Sequence, residues 1–483
     1  MGSNLFFRQY DLACLSLYSY LIGDTTTGRA VVVDPQRDIS EYVADAAANG
    51  LRIERVLETH FHADFLSGHL ELAEATGAAI SYGDVATPDF PMDPLAHGQR
   101  LSLGEVTLEI RHTPGHTPES ISIVIYPTPA AEPWAVLTGD ALFIGDVGRP
   151  DLLTSVGRSA DSLARDLYHS LHEQLLTLPD TTIVYPAHGA GSACGKHLST
   201  AASSTIGEQR DTNYALAPMS VDQFVEAVTE GQGVAPLYFA FAADANKRER
   251  DLLDDHEAPT TLTIDDALDL ARAGAVLLDT RAPESFASGH LRGSINVGLD
   301  GRFAEYAGDI VRPGQKIVLL GDVGRGTEAK VRLARIGFDA VAGEVPAVET
   351  VLAARPELAT AARRLPAADV AGWLAEEPDL QVVDVRNPGE TMVGGTIPGA
   401  RNLPLPQLLD HLDELDPTRP TVVYCAGGYR SSVAASTLVA HGFTHVADLI
   451  GGYGAWLTHT APTARRPDRV RTHHPAGRTG PVT

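Results

Sequence analysis

The chain has 483 residues, 44% of them hydrophobic, so it is long and apolar enough for several folded domains and is not a disordered chain. It carries 62 acidic against 37 basic residues, and this net charge of −25 argues against nucleic acid or an anionic membrane as a partner. Its three cysteines, Cys14, Cys194 and Cys425, are too few for a disulfide framework and fit a reducing compartment.

The N-terminal segment is the first candidate element. Residues 12–23 carry Ser and Tyr in alternation and no A-x-A-like cleavage site, so we predict a strand, with Cys14 in its core, rather than an export signal. The sequence has no unbroken apolar run of about 18 residues, the minimum for a membrane-spanning helix. We therefore expect a cytoplasmic protein without membrane contact.

Short apolar segments alternate with helical patterns through residues 1–257, which we predict to form one domain. The predicted strands are 16–22, 29–33, 53–59, 106–111, 121–126, 135–138 and 182–185, and the predicted helices lie near 40–49, 66–76 and 160–177. The charge-dense segment 246–257 is predicted to be the exit linker of this domain.

Four of these predicted strands end just before histidine or aspartate side chains. The residues are His60, His62 and Asp64 after the first strand, His116 after the second, Asp140 after the third and His188 after the fourth. A His-x-His pair alone is a weak signal, because histidines near strand ends are about as often hydrogen-bonded loop residues as metal ligands. Four such segments at one sheet edge predict a shared metal site.

This set of motifs resembles that of the metallo-β-lactamase superfamily over about residues 5–250, which implies an αββα sandwich. The family's first motif runs His-x-His-x-Asp-His, and here Phe65 replaces the final histidine. That histidine belongs to the second of two metal sites, so its loss argues against two-metal activation of water. A centre with one metal ion remains compatible with the sequence.

Within the superfamily, the chain is similar to the persulfide dioxygenases, which hold a single iron. The resemblance implies that His60, His116 and Asp140 bind mononuclear non-haem Fe(II) as a facial triad, with open positions for O₂ and substrate. His62, Asp64 and His188 would then surround the ligands, fixing their orientation or donating to the sulfur substrate.

Three further residues are candidates near this site. Arg149 matches a substrate-side arginine of the persulfide dioxygenases, and the alternative is a structural ion pair with Asp151 or Asp146. Tyr185 is a candidate to point its hydroxyl into the pocket, and the alternative is a packed strand-end residue. Cys194 is a candidate persulfide relay, or else a small packed residue in a Gly-rich loop.

The second half of the chain contains an internal repeat. Asp279, Gly293, Arg325 and Gly337 recur as Asp384, Gly399, Arg430 and Gly442, at an offset of 105 or 106 residues. We predict two small α/β domains at 258–360 and 361–461. The tail 462–483 is rich in Pro, Gly and Arg and is predicted to be disordered.

Cys425 begins the segment Cys-Ala-Gly-Gly-Tyr-Arg-Ser between strand 421–424 and a helical stretch. Backbone N–H groups at such a helix start stabilise a thiolate and the persulfide built on it, and Arg430 is a candidate to hold an oxyanion. The alternative is a buried inert cysteine. Residues 365–460 resemble a rhodanese sulfurtransferase, whereas the earlier copy has Leu320 and Asp322 in the corresponding loop and is expected to be inactive.

Together the motifs resemble the fusions of a persulfide dioxygenase with two rhodanese domains, an α/β multidomain architecture. The expected activity is oxidation of low-molecular-weight persulfides by O₂ to sulfite, followed by transfer of sulfur from Cys425 to give thiosulfate in sulfide detoxification. The alternatives are a thioester hydrolase of the glyoxalase II type and a non-oxidising sulfur relay or sensor. We expect persulfides, O₂ and sulfite as partners, no nucleic acid, and a homo-oligomer.

Overall fold

A computed structural model describes residues 4–152 and 157–461 of the chain. The predicted disordered tail, residues 462–483, lies outside the described residues. No helix in these two ranges combines the length and the apolar character that a membrane span requires.

The first part of the chain forms two facing six-stranded sheets with helices on their outer sides. Its strands are β1 (Leu5–Leu12), β2 (Leu17–Asp24), β3 (Arg29–Val33), β4 (Arg52–Leu57), β5 (Ala79–Gly83), β6 (Asp93–Leu95), β7 (Arg100–Ser102), β8 (Thr107–His112), β9 (Ile121–Tyr126), β10 (Ala135–Gly139), β11 (Ile183–Pro186) and β12 (Ser204–Thr205). Its α-helices are α1 (Ser40–Ala48), α2 (His69–Thr76), α3 (Ala160–His169), α4 (Ile206–Thr212), α5 (Val221–Thr229) and α6 (Phe239–Ala245), and a π-helical turn, Ser170–Leu175, extends α3.

The order of the first sheet is β1-β2-β3-β4-β5-β6, and that of the second is β12-β11-β10-β9-β8-β7. Strand β3 shows why both faces are apolar: Val31 and Val33 lie in the core between the sheets, whereas Ala30 and Val32 lie in the core beneath α1. Successive side chains of a strand point to opposite faces, so a strand covered on both sides reads as a continuous apolar run. The predicted αββα sandwich is confirmed.

Two smaller sheets of four and five strands follow, each covered by helices, together with a separate two-stranded antiparallel sheet. The elements are α7 (Ile264–Arg272), β13 (Val276–Asp279), α8 (Pro283–Ser288), β14 (His290–Leu291), β15 (Ile295–Asn296), α9 (Phe303–Ile310), β16 (Ile317–Gly321), α10 (Gly326–Ala334), β17 (Val341–Pro346), α11 (Val348–Ala354), β18 (Ala359–Thr360), β19 (Arg363–Leu365), α12 (Ala367–Glu376), β20 (Gln381–Asp384), α13 (Pro388–Gly394), β21 (Arg401–Asn402), β22 (Thr421–Tyr424), α14 (Tyr429–Ala440), β23 (Val446–Leu449) and α15 (Gly452–Thr460).

The strand orders are β15-β13-β16-β17 and β19-β23-β22-β20-β21, with parallel pairing throughout both sheets. In each copy the strand before the repeated Asp-x-Arg motif is central, which agrees with the predicted pair of small α/β domains. The exact domain boundaries at 257/258 and 360/361 stay predictions.

The three parts of the chain pack into one molecule. A single hydrophobic cluster contains Phe65 and Tyr238 of the first part, Phe303 of the second and Val423 of the third. Helix α9 approaches the first part so closely that a Cβ added at Gly308 would overlap the ring of Tyr238. The earlier copy therefore contacts the first part through its core, and not only through a linker.

Two local predictions differ from the structure. Residues 13–16 form the turn between β1 and β2, so Cys14 is a half-buried turn residue and not part of a strand core. The predicted linker 246–257 begins inside the fold, because Asn246 is buried and Arg250 pairs with Glu71 at 2.7 Å. Charge density marked this segment as solvent-exposed, but its charges are partly neutralised by buried partners.

Candidate functional site

Six of the predicted polar residues lie at one edge of the two facing sheets. Strand β10 runs parallel to β11, and β8 and β10 both run antiparallel to β9, so the carboxyl ends of β8, β10 and β11 meet at the same edge. The residues that follow these ends are His116, Asp140 and His188, and the loop after β4 supplies His60, His62 and Asp64.

His60, His116 and Asp140 form the first group. Their potential ligand atoms lie within 4.8 Å of one another, and all three residues are buried. Asp140 Oδ2 lies 3.4 Å from His116 Nε2 and 3.9 Å from His60 Nε2, and the two imidazole planes meet at 87°. Two imidazoles and one carboxylate that face a common point are a donor set suited to a divalent transition metal.

Both imidazoles of this group are oriented through Nδ1. His116 Nδ1 donates to the backbone carbonyl of Arg149 at 2.9 Å, so Nε2 is the unprotonated nitrogen that faces Asp140. His60 Nδ1 lies 3.0 Å from Thr59 Oγ1, which donates to Asp34 Oδ2 at 2.8 Å. These contacts hold the rings in place before any ligand arrives.

The unpaired atoms of the first group fit a metal ion. His60 Nε2 and both carboxylate oxygens of Asp140 are buried and have no hydrogen-bond partner among the described residues. Leaving such atoms unpaired costs about 1–3 kcal/mol each, a cost that a bound cation removes. Burial, with His62 and His116 nearby, holds the pKa of His60 well below its usual value, so the ring is neutral, as a metal ligand must be.

His62, Asp64 and His188 form a second buried group whose potential ligand atoms also lie within 4.8 Å of one another. His188 Nε2 lies 3.4 Å from Asp64 Oδ2 and 3.4 Å from Asp140 Oδ1, so the two groups are adjacent. Burial lowers the pKa of His188, but Asp140 and Asp64 raise it, and the net direction is upward.

Phe65 lies beside the second group. Its side chain is fully buried, and its ring centroid is 4.3 Å from that of His62. A phenyl ring offers no ligand atom, so the second group lacks the donor that a histidine at this position would supply.

Both predicted substrate-binding side chains already have partners within the protein. The Arg149 guanidinium makes two 2.7 Å hydrogen bonds with the Asp151 carboxylate, so the structure shows the ion pair considered as the alternative. The Tyr185 ring packs 4.7 Å from Phe7 and 6.2 Å from Trp134, centroid to centroid, and the predicted role of its hydroxyl in the pocket stays a prediction. A position at a strand end does not specify which face of the sheet the side chain takes.

Cys194 is both packed and close to the polar groups. Its side chain is buried, and its sulfur lies within 4.8 Å of potential ligand atoms of Asp140 and His188. Burial, together with Asp64 and Asp140, raises the pKa of the thiol well above its usual value. Its candidate role as a relay stays a prediction.

Cys425 lies at the carboxyl end of β22, immediately before the loop that leads into α14. The backbone N–H of Gly428 donates to Cys425 Sγ at 3.1 Å, and the same sulfur lies 3.6 Å from Ser431 Oγ. Gly428, which precedes the helix, has a φ of 102°, a conformation that favours glycine. These donors suit a thiolate or a persulfide anion.

Arg430 has a partner that the sequence did not reveal. Its guanidinium makes two 2.7 Å hydrogen bonds with the carboxylate of Glu390 in α13. Its predicted role in holding an oxyanion stays a prediction, and that role requires the anion to share or displace this carboxylate. In the earlier copy, buried Leu320 stands where Cys425 would be, and Arg325 pairs with Asp300 and Glu328.

Two further residues, which belong to none of the sequence motifs, donate hydrogen bonds to the loop after β4. The Tyr238 hydroxyl donates to the Asp64 carbonyl at 2.9 Å, and the Asn246 amide donates to the carbonyls of His62 and Phe65 at 2.8 Å each. Both lie more than 170 residues from their partners, and no spacing in the sequence links them to the site.

Comparison with known proteins identifies the family of the first part of the chain and the family of the two repeated copies. The metallo-beta-lactamase superfamily profile matches residues 13–188, and the rhodanese-like domain profile matches residues 263–343 and 367–459. "Persulfide dioxygenase ETHE1, mitochondrial" of Bos taurus is 32% identical over 251 residues, which are 51% of this chain and 89% of that protein. The cytoplasmic hydroxyacylglutathione hydrolase of Arabidopsis thaliana is 34% identical over 182 residues, which are 37% of this chain and 66% of that protein.

A solved structure extends the similarity beyond the first part of the chain. The structure described as metallo-beta-lactamase from Staphylococcus aureus subsp. aureus COL has a TM-score of 0.64 and 34% identity. The match covers 71% of this chain and 99% of that one. The similarity therefore continues beyond the residues that the superfamily profile matches.

Proposed function

Because this chain belongs to the persulfide dioxygenase family of the metallo-beta-lactamase superfamily and continues into two rhodanese-like domains, we propose that it oxidises low-molecular-weight persulfides and forms thiosulfate. In the first reaction RSSH, O₂ and H₂O give RSH, sulfite and two protons, so the terminal sulfur is oxidised and O₂ is reduced. The role in the cell would be detoxification of sulfide, in the cytoplasm.

The group formed by His60, His116 and Asp140 carries this proposal. With Phe65 in place of a ligand to a second metal, these three side chains are the complete donor set for one ion, and we propose Fe(II). An iron ion held there would supply open positions at which O₂ and the terminal sulfur meet.

The residues around this group perform the other tasks in the proposal. Thr59 and the Arg149 carbonyl orient the two imidazoles, and burial of the whole group keeps bulk water away. His188 lies 3.4 Å from Asp140 Oδ1, whereas His116 lies 3.4 Å from Oδ2, and His188 with Asp64 would take or return protons as the thiol leaves.

Sulfur transfer is assigned to Cys425. A second persulfide gives its outer sulfur to the Cys425 thiolate and leaves as the thiol. Sulfite then takes that sulfur, which yields thiosulfate and restores the thiolate. The N–H of Gly428 and the start of α14 stabilise the negative sulfur in both states.

The test is metal analysis combined with O₂ uptake on protein reconstituted without oxygen. We expect one iron per chain and, because each sulfite takes the sulfur of a second persulfide, one O₂ consumed for every two persulfides. Asp140→Ala should lose both the iron and the O₂ uptake. Two metal ions per chain with no persulfide-dependent O₂ uptake would contradict the proposal.

The second group of His62, Asp64 and His188 favours one rival, a thioester hydrolase of the glyoxalase II type with accessory rhodanese domains. A second metal ion at that group and hydrolysis of a glutathione thioester would support it. A sulfur relay or sensor, the other rival, predicts a persulfide on Cys425 and no O₂ consumption.

A further inference from the structure

A small, mostly apolar cavity is lined at once by His116 of the first polar group and by the exposed residue Asp244. Its volume is about 90 Å³, and His116 is one of its walls. The apolar walls are Phe61, Ala63, Leu152, Phe239, Ala240 and Ala243. Such a passage accepts a narrow apolar stem and leaves no room in it for a bulky polar group.

Two charged side chains line the same cavity, Asp244 and Lys247. Asp244 is neutralised by Arg248, whose guanidinium lies 2.8 Å from its carboxylate. Lys247 Nζ lies 5.2 Å from the ring centroid of Phe61, and no carboxylate within the described ranges comes within ion-pair distance of it. It is thus a half-buried cation without an acidic partner.

Lys247 is not the residue that the sequence predicted to bind substrate, which was Arg149. The backbone of Arg149 lies next to His116, but its guanidinium donates two hydrogen bonds to the Asp151 carboxylate. The charge of Arg149 is therefore already compensated. In a chain with a net charge of −25, an uncompensated lysine at a cavity that reaches His116 is a local attraction for anions.

We propose that Lys247 is a specificity-determining residue that binds an anionic group, a carboxylate, on the organic part of the persulfide. The S–S end of the persulfide enters the apolar cavity toward His116. The carboxylate stays at the cavity entrance, beside the ammonium group of Lys247. This inference rests on the proposed function, since it concerns the substrate of the same site. It selects persulfides of carboxylate-bearing thiols over persulfides of neutral or cationic thiols.

The kinetic test compares glutathione persulfide, which carries carboxylates, with cysteamine persulfide, which carries an amine. In Lys247→Ala we expect KM for glutathione persulfide to rise about threefold to tenfold, with kcat nearly unchanged and no rise in KM for cysteamine persulfide. Lys247→Glu should widen the difference, and Lys247→Arg should restore most of the affinity. Added salt should raise KM for glutathione persulfide in the wild type more than in Lys247→Ala.

The matched control is Lys316→Ala, which removes the same charge from an exposed position in the earlier rhodanese-like copy. A binding measurement completes the test: calorimetry of the metal-loaded protein without oxygen should show weaker binding of glutathione, the product thiol, to Lys247→Ala. Equal KM values and equal glutathione binding in the wild type and Lys247→Ala would overturn the inference. A wild type that consumes no O₂ with any persulfide would instead overturn the proposed function.

Discussion

Phe65 is the side chain whose replacement tests most directly whether this site binds one metal ion or two. Its ring lies against His62, where an imidazole would face the second polar group. We expect Phe65→His to complete that group and to raise the metal content from about one to about two ions per chain, since an added imidazole supplies the missing donor. Metal analysis of the purified variant measures this.

The control is Phe65→Leu, which keeps the position apolar and should retain one metal ion. Persulfide-dependent O₂ uptake should fall in Phe65→His, because a second cation beside Asp140 competes for its carboxylate. A variant that still binds a single ion would show that the position does not face the second group.

Cys425 offers a separate test of how the two reactions are divided. In Cys425→Ser the metal side is untouched, so O₂ uptake should continue at the wild-type rate while sulfite replaces thiosulfate as the product. Chromatography of the sulfur products measures the ratio. Asp322→Asn, an exposed change in the corresponding loop of the other copy, should leave that ratio unchanged. An unchanged ratio in Cys425→Ser would contradict the assignment of sulfur transfer to this residue.

At the scale of residues, spacing predicted which side chains follow strand ends, and it did so for His116, Asp140 and His188. It did not predict which way a side chain points once its backbone is placed. That is why Tyr185 packs in a core and Arg149 turns to Asp151. Partners from distant segments, such as Glu390 and Lys247, depend on tertiary packing that local patterns do not encode.

At the scale of elements, the loop before Arg149 is held by a close backbone approach. A Cβ added at Gly148 would overlap the carbonyl oxygen of Asp140 and lie 3.1 Å from His116 Nδ1. Because this loop also supplies the carbonyl that orients His116, we expect Gly148→Ala to lose most of the bound metal. Metal content and circular dichroism measure the loss and the state of the fold.

Gly372→Ala in α12 is the matched control, since an added Cβ there meets no atom within 4 Å. Alanine should be neutral or slightly stabilising in that helix. Full metal occupancy in Gly148→Ala would mean that the loop can shift without disturbing His116.

Length alone did not decide which elements were predictable, since β1 and β5, of eight and five residues, were both missed. Strands β3, β9 and β10 were predicted to within a residue because their apolar runs are continuous. Strands β6, β7 and β12 were missed, since each has only two or three residues and exists through pairing with a neighbour. The same limit applies to β14 and β18, which pair with each other in the earlier copy.

At the scale of the whole molecule, a buried charge links the two rhodanese-like copies. Arg364 pairs with Asp448 of its own copy and with Glu284 of the preceding one. Burial raises the pKa of Asp448 from 3.8 to about 6, although Arg364 opposes the shift. The folded protein therefore binds this proton more tightly than the unfolded chain does.

The contribution of Asp448 to the free energy of unfolding should consequently fall as the pH rises through about 6. The contribution is fully present below the unfolded pKa of 3.8 and is lost above the folded pKa. The free energy of unfolding of Asp448→Asn, minus that of the wild type, should increase by about 2 kcal/mol between about pH 4.5 and pH 7.5. Urea denaturation at several pH values measures this difference.

Asp379→Asn, at an exposed turn, is the charge-matched control and should show no such trend. A constant difference for Asp448→Asn would mean that Asp448 keeps an ordinary pKa in the folded protein.

Helix α9, packed against Tyr238 of the first part, has a consequence for how this chain can evolve. Leu320 stands in the position of the thiol, so sulfur transfer does not restrict which residues the loop 321–325 can carry. Gly308 and the residues around it, by contrast, are restricted by their packing against Tyr238. Mutations should therefore accumulate in that loop and be purged along α9. We therefore expect this copy to persist as a scaffold whose loss would disturb the packing of the first part of the chain.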